Sequence, residues 1–199
     1  MSQIKLLHSG GNGVIIAAPD SNPASDRTLK LPSDVNSTID TLNRAGNILQ
    51  VVQTFKKDAF STSSSSLVEI TGFNASITKT SASNKILIMV DIGFGKTGQA
   101  SSRFVLYEDS SELTDANGTS GTTDNVFIAS YTHLANNDAE KYSWYNVSKS
   151  VLIDGQNDTS SHTYKVYGTA DTQTLYVNRR GYDTVYGITS AITLMEVAA

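Results

Sequence analysis

The chain has 199 residues, no cysteine, 15 basic against 19 acidic side chains, and 39% hydrophobic residues. Its 26 Ser and 22 Thr make hydroxyl residues about a quarter of the sequence, roughly twice their share in an ordinary globular domain. The lack of cysteine excludes a disulfide framework and a thiolate zinc site. A net charge of −4 without a basic cluster argues against a nucleic-acid surface, because such surfaces neutralise phosphates. We therefore expect no nucleic-acid partner.

The apolar residues near the N-terminus are interrupted by Gly10, Gly11 and Gly13, so we predict no secretory signal. No stretch approaches the roughly 18 apolar residues that a membrane-spanning helix needs, and we expect no membrane insertion. The length suits one domain of about 150 residues plus a smaller piece.

The segment 1–32 differs in composition from the rest of the chain. It contains the three prolines and reads as two short extended runs, Val14–Ala17 and Thr28–Leu31, separated by turn-forming residues, since proline cannot donate to a strand ladder. Its few apolar residues cannot form a core of their own. We expect this segment to need neighbours or copies of itself.

A short helix is predicted from Ser33 to Gly46. Val35, Ile39 and Leu42 follow one another at helical spacing on one face, and Gly46 is a typical stop signal. About three turns with so narrow an apolar stripe are marginal in isolation, because nucleation is costly. The helix could pack against a sheet, form a very short coiled coil with symmetry copies, or serve as a linker helix on its own domain.

From Asn47 to the C-terminus the hydrophobic period changes to two. Short runs rich in Val, Ile, Tyr, Phe and Thr alternate with Gly, Asn, Asp and Ser clusters, which predicts strands separated by turns. The predicted strands are Ile48–Phe55, Leu67–Thr71, Ala75–Thr78, Lys85–Phe94, Arg103–Glu108, Asn125–Tyr131, Ser143–Ile153, His162–Gly168, Thr174–Asn178 and Tyr186–Val197. Many short strands without intervening helices indicate an all-β fold, an antiparallel β-sandwich of jelly-roll type.

The sequence offers little for catalysis. Gly95-Lys96-Thr97 resembles the end of a phosphate-binding loop, but Val90 occupies the place of the earlier glycine, so a turn at a strand end is the better interpretation. The three histidines, His8, His133 and His162, are scattered.

Metal binding is also not indicated. The oxygen-rich loop 109–124 lacks the regular spacing of a calcium loop, and the acidic residues are dispersed in turns. We therefore predict no enzyme activity, no metal and no cofactor.

One group of aromatic residues stands out. Tyr131, Tyr142, Trp144 and Tyr145 border the loop 132–141, while Tyr182 and Tyr186 border a second turn beside Arg179 and Arg180. Rings with polar tips suit contact with carbohydrate or protein, although alternating ones can equally fill the sandwich core. The candidates for receptor contact are Tyr142, Trp144, Tyr145 and Tyr182.

Three stretches together resemble a known family. The opening HSGGNGVIIAAPDSNPASDRTLKLPSD is similar to the repeat-like N-terminal segment of phage fibre proteins, especially those of marine and cyanobacterial phages. The junction LNRAGNILQVVQTFKKDAFST, the run SITKTSASNKILIMVDIGFG and the ending SAITLMEVAA resemble their C-terminal β-rich domain. Residues 109–184 carry no matching motif, as expected of a variable part that faces a receptor.

This resemblance implies a virion structural protein, made in the host cytoplasm, that trimerises around a threefold axis. A short tail fibre or fibre-like knob is implied first. A capsid decoration protein attached to the phage head is an alternative, and a glycan-binding or polysaccharide-degrading tailspike module is another. Its partners would be two copies of itself, another virion protein bound through residues 1–32, and a host surface glycan or protein.

The residues lead to the same picture by a separate route. We predict an attachment and trimerisation stalk over 1–46 and a β-sandwich head over 47–199. Three stalks around one axis would pair their backbone groups and bury apolar side chains. The candidates for this trimer core are Val14, Ile16, Leu29, Leu31, Val35, Ile39 and Leu42.

Overall fold

The computed structural model describes the backbone of residues 3–7 and 13–17, and the full chain at residues 9–11, 44–121, 125–131 and 141–199. The chain forms two compact units, Met1–Ile39 and Asp40–Ala199. Within the described part, no helix has the length and apolar character needed to cross a membrane.

The first unit contains an antiparallel hairpin of β1 (Gln3–Leu7) and β2 (Gly13–Ala17). The predicted run Val14–Ala17 is thus confirmed as a strand, whereas its partner β1 was not predicted. Ile4 is paired with Ile16 and Leu6 with Val14. Because strand residues alternate between faces, these four residues share one face of the hairpin.

Most of the predicted stalk lies outside the described residues. This applies to the run Thr28–Leu31 and to the helix positions before Arg44, while residues 44–46 form a turn. Five of the trimer-core candidates therefore have no described position: Leu29, Leu31, Val35, Ile39 and Leu42.

The second unit is a sandwich of two antiparallel sheets, as predicted. Its strands are β3 (Ile48–Lys56), β4 (Phe60–Thr62), β5 (Val68–Thr78), β6 (Lys85–Lys96), β7 (Ser101–Glu108), β8 (Ser111–Glu112), β9 (Ile128–Tyr131), β10 (Tyr145–Ile153), β11 (Ser161–Ala170), β12 (Leu175–Val177) and β13 (Ser190–Val197). One turn of 3-10 helix spans Thr114–Ala116.

The first sheet is built around β6. On one side β6 pairs with β10, and on the other side it pairs first with β13 and then with β12. Strands β3 and β4 pair with β13 and β12 and complete that side. β12 and β13 thus lie end to end along β6, and residues 178–189 leave the sheet between them. We call residues 178–189 the tip loop.

The second sheet has the order β5-β11-β7-β8, and β9 also pairs with β7. The chain crosses between the sheets after β4, β5, β6, β9, β10 and β11. Phe94 of the first sheet and Phe104 of the second lie with ring centroids 5.2 Å apart. The core is the closed space between two sheets, which is the predicted sandwich.

The burial pattern of β6 shows how the sequence builds this core. Alternate residues of β6 point inward and are completely or almost completely buried: Ile86, Ile88, Val90, Ile92 and Phe94. Each contributes about 2 kcal/mol by leaving water. The intervening residues point outward, so the mostly apolar run that the sequence placed in the middle of a sheet has two different faces.

Several predicted strand boundaries are wrong: Asn125–Tyr131 begins only at Ile128, and β4 and β8 were not predicted. Leu67–Thr71 and Ala75–Thr78 form a single strand, β5, in which Gly72 takes a positive φ of 76° beside a register irregularity with β11. Glycine adopts this conformation without strain, so the strand bends there and continues. The predicted strand Tyr186–Val197 begins only at Ser190, because the residues before it belong to the tip loop.

The sandwich has two distinguishable ends. The Gly46 N–H donates to the Ala198 carbonyl and the Ala198 N–H to the Asn47 carbonyl, both at 2.9 Å. We call this the proximal end, since the chain enters the head there. Strand β3 has nine residues, so at about 3.3 Å per residue its far end lies roughly 26 Å away. That far end is the distal end.

The proximal end is fixed by a buried carboxylate. Glu196 accepts hydrogen bonds at 2.6 Å from the Gln50 and Asn84 side-chain amides and from the Thr80 backbone N–H. Burial by itself raises the pKa of Glu196, but these hydrogen bonds together outweigh it and hold the pKa below its usual value. The carboxylate therefore ties β13, β3 and the β5–β6 turn together.

Candidate functional site

The tip loop lies directly on the outer face of β6. Gly93 and Gly95 point outward there, and a Cβ at Gly95 would come within 2.7 Å of the Arg180 Cα. A Cβ at Gly93 would overlap the Ile188 side chain, and one at Gly181 would overlap the Lys96 carbonyl. The glycines thus allow two backbones to approach more closely than any side chain would permit.

Asn178 anchors the base of the tip loop. It is 2% exposed and has a positive φ of 65°, a conformation that asparagine tolerates better than most residues. Its side-chain amide donates to the carbonyls of Lys56 at 2.7 Å and Asp58 at 3.0 Å, and its Oδ1 accepts from Ser190 Oγ at 2.6 Å. The loop is therefore fixed at the distal end, where β3 ends at Lys56.

Arg180 lies at the centre of a group of aromatic side chains. Its Cζ is 4.9 Å from the ring centroid of Tyr186, 5.4 Å from Tyr142, 5.7 Å from Trp144 and 6.0 Å from Tyr182. These distances are within the range of cation–π attraction. We call these five residues the tip cluster.

The rings of the tip cluster also contact one another. The centroids of Tyr142 and Tyr182 are 4.3 Å apart, and Trp144 meets Tyr186 edge to face at 5.6 Å. The Tyr182 N–H donates to the Lys141 carbonyl at 2.9 Å, which joins the two chain segments. Each ring is nevertheless 40 to 54% exposed, so the cluster is both ordered and open to solvent.

A bidentate ion pair orients Arg180. Its Nε and Nη2 donate to the two carboxylate oxygens of Asp183 at 2.8 and 2.6 Å. The hydrogen bonds hold the pKa of Asp183 below and that of Arg180 above their usual values. Because such a fork fixes the plane of the guanidinium, Arg180 can support the rings in one arrangement.

The structure brings three of the four receptor-contact candidates together, Tyr142, Trp144 and Tyr182. The fourth, Tyr145, begins β10 and packs against the core, with its ring 5.5 Å from that of Phe94. Tyr186 and Arg180 complete the cluster although they were not among the candidates. Arg180 and Tyr186 lie close to Tyr182 in the sequence, which could have indicated them as candidates. Only the fold shows that Tyr142 and Arg180 are in contact.

The phosphate-loop resemblance has a structural explanation. Lys96 is the last residue of β6, is 1% exposed, and donates from Nζ to the carbonyls of Ala100 and Ser130 at 2.5 and 3.1 Å. Its ammonium group satisfies backbone oxygens near the end of a strand, in agreement with the turn interpretation.

His162 forms a second polar site, at the proximal end. Its Nδ1 is 2.7 Å from an oxygen of Asp109 and its Nε2 is 2.9 Å from an oxygen of Asp158. The hydrogen bonds to Asp109 and Asp158 raise the pKa of His162, and the same bonds lower the pKa of both aspartates. His162 thereby clamps two loops. His8 and His133 lie outside the described residues.

Within the part of the chain that the structure describes, no group of three or more His, Cys, Asp or Glu side chains is arranged to hold a metal ion.

Comparisons with known proteins give only distant similarity. No family model and no curated protein matches the chain. Among solved structures, infectious bursal virus-derived T=1 particles match with 13% identity and a TM-score of 0.41, over 87% of this chain and 41% of that one. The VP2 subviral particle of infectious bursal disease virus matches with 15% identity and a TM-score of 0.41, over 94% and 51%. The chain thus spans about half or less of these proteins.

Proposed function

We propose that this chain is a non-enzymatic virion protein that is attached through its N-terminal segment and contacts host-surface glycan through the tip cluster. The observation that carries the proposal is the position of the cluster. The chain enters the head at the proximal end, and the exposed rings stand at the distal end. A surface at the end away from the attachment point is the one available to a host.

The chemistry of the tip cluster suits a sugar. Exposed aromatic rings stack on the apolar C–H faces of a pyranose, while arginine and carboxylate groups bond its hydroxyls. The rings are held by Arg180 and by one another, so little conformational freedom is lost on binding. A bound glycan would meet a surface that is already arranged.

The N-terminal hairpin supports assembly as a homotrimer. A two-stranded hairpin is marginally stable at best in water, and here one face carries Ile4, Leu6, Val14 and Ile16. Copies of the same hairpin would cover that face. This agrees with the resemblance to phage fibre proteins, and we propose a short tail fibre or fibre-like knob.

Adsorption of purified protein to host cells tests the proposed contact. We expect Trp144→Ala and Arg180→Ala each to weaken binding at least about tenfold, since an aromatic or arginine anchor typically contributes more than about 1.4 kcal/mol. The matched control is Tyr107→Ala, because Tyr107 stacks on Tyr167 with centroids 4.0 Å apart on the other sheet.

Unchanged adsorption in both tip variants, with normal folding by circular dichroism, would contradict the proposed contact. A density map of the intact particle tests the virion location: we expect density on the tail. Density on the capsid surface would instead identify a decoration protein.

A further inference from the structure

The outer face of the first sheet is unusually apolar. Outward residues of β3, β13, β6 and β10 lie level with one another in rows across the sheet. One row is apolar throughout and consists of Val51, Met195, Leu87 and Leu152. We call it the apolar row. Val51 and Leu152, at its two ends, are 56 and 51% exposed.

The neighbouring rows extend this face. Toward the proximal end lie Ile48, Val197 and Lys85, and Ile48 is 54% exposed. Toward the distal end lie two mixed rows, first Gln53, Thr193, Met89 and Ser150, and then Phe55, Ala191, Asp91 and Ser148. The one row without a polar side chain therefore lies in the proximal half of the face, while Phe55 and Met89, 54 and 43% exposed, add apolar area to the distal half.

The outer face of the second sheet has a different character. It carries polar pairs that satisfy one another, such as Ser76 with Thr163 at 2.8 Å and Lys165 with Glu69 at 3.5 Å. Two of its aromatic residues, Tyr107 and Tyr167, stack on each other. The outer face of the second sheet thus carries polar side chains that are paired with one another, whereas the outer face of the first sheet carries a row of apolar side chains.

We propose that these four rows on the outer face of the first sheet, which lie on the proximal side of the tip loop, pack against copies of this chain, with the copies parallel and their proximal ends level. The proposal rests on the homotrimer of the proposed function. Three parallel heads would turn these faces toward the threefold axis as the three sides of a prism, and the apolar rows would meet at one height.

The order of the rows selects the parallel arrangement. If one head were inverted, its apolar row would face the mixed row that contains Gln53 and Ser150, and those polar groups would lose water without gaining partners. In parallel heads the apolar row meets apolar rows. The proximal ends, where the N-terminal segments are attached, then lie side by side.

The size of the face indicates a tethered copy. Each strand occupies about 4.8 Å of width and each row about 6.7 Å of length, so four strands and four rows cover roughly 500 Å². A patch of several hundred Å² marks an interaction site, but a stable free complex buries about 800 Å² per partner. A partner that is already held nearby by another contact needs a smaller buried area. Copies joined by their N-terminal segments meet this condition.

Charge also argues against a strongly charged partner. In the four rows the charged residues are Lys85 in the proximal row and Asp91 in the distal row. The two rows between them carry none. A nonpolar face of the same kind is the best match.

The test uses full-length protein and sedimentation equilibrium over a dilution series. We expect wild type to be a trimer, and the double variant Val51→Lys with Leu152→Lys to dissociate at a concentration at least tenfold higher. The control is Tyr131→Lys, since Tyr131 is 64% exposed and lies on the outer face of the second sheet. It should leave the dissociation midpoint unchanged.

A charge-swapped variant separates lost contact from lost folding. Val51→Lys with Leu152→Glu should assemble better than the lysine double variant, because around a threefold axis the Val51 edge of each face adjoins the Leu152 edge of the next and opposite charges then meet at every contact. A wild-type trimer with unchanged midpoints in the double variants would overturn this inference and leave the homotrimer intact. A monomeric wild type would overturn both. Lysine variants that still form trimers but fail to join virions would assign the face to another virion protein, which also overturns it.

Discussion

Asn178 shows how much of the distal end depends on one side chain. Its amide donates to the buried Lys56 carbonyl and to the partly buried Asp58 carbonyl at the β3–β4 connection, and its backbone has a positive φ that few residues adopt. Nothing in its sequence neighbourhood distinguishes it from the other asparagines of the chain. Only the meeting of β12 with the end of β3 creates this role.

We expect Asn178→Ala to destabilise the protein by about 3 kcal/mol, because the Lys56 and Asp58 carbonyls lose their donor and alanine is strained at positive φ. Urea denaturation followed by far-ultraviolet circular dichroism measures the change. Asn178→Gly removes the same donor, but glycine adopts a positive φ without strain. We therefore expect this variant to lose about 1 kcal/mol less stability than Asn178→Ala. Equal stability of wild type and both variants would show that Asn178 does not anchor the loop.

His162 makes the stability of the head depend on pH. Its raised pKa means that its contribution is complete below about pH 6.5, the unfolded value, and is lost as pH rises through the folded pKa. The lowered pKa values of Asp109 and Asp158 mean that their contribution is complete above about pH 3.9, the unfolded value, and is lost as pH falls through the folded pKa values. The clamp therefore contributes most between about pH 4 and 6.5.

Thermal unfolding of wild type and His162→Gln at several pH values measures this effect. We expect the difference between their melting temperatures to be larger at pH 5.5 than at pH 8.5. Comparison with the variant cancels the titration of His8 and His133, which both proteins share. A difference that does not change with pH would refute the clamp.

At the scale of elements, hydrophobic period predicted most strands because alternation reports which residues face a core. It could not show that β12 and β13 pair end to end with the same edge of β6, because the tip loop separates them and carries no periodic signal. The glycines at positions 93 and 95 were visible in the sequence. Their purpose, a close approach of the tip loop to β6, depends on a segment more than 80 residues later in the chain.

The aromatic candidates illustrate the same limit. Tyr142, Trp144 and Tyr145 are almost adjacent in sequence, yet Tyr145 packs against the core while the other two join the tip cluster. The change occurs where β10 begins, because from Tyr145 onward the sheet register decides which side chains point inward. Sequence alone left core and surface as open alternatives for each ring.

At the scale of the whole molecule, the hairpin of β1 and β2 provides a test of assembly. We expect Ile16→Lys to convert the trimer into a monomer, because it places a charge on the face shared by Ile4, Leu6, Val14 and Ile16. Light scattering coupled to gel filtration measures the mass. The thermal transition of the head should remain.

The neighbouring residue supplies a matched control. Ile15 pairs with Lys5 on the opposite face of the hairpin, so Ile15→Lys should leave the trimer intact. Loss of the trimer in both variants would indicate that the whole hairpin, and not one face of it, is needed. A trimer that survives Ile16→Lys would remove the hairpin from the assembly.

The sequence by itself determined the fold class, because a period of two with turn residues between runs can be satisfied only by strands that bury one face. The lack of cysteine in the sequence also excluded a disulfide framework and a thiolate zinc site, and the lack of a basic cluster argued against a nucleic-acid surface. The tertiary structure alone decided which distant residues meet: Arg180 with Tyr142 and Trp144 at the distal end, and the apolar row across four strands on one outer face. Such contacts depend on strand order and register, which join positions that no local pattern connects.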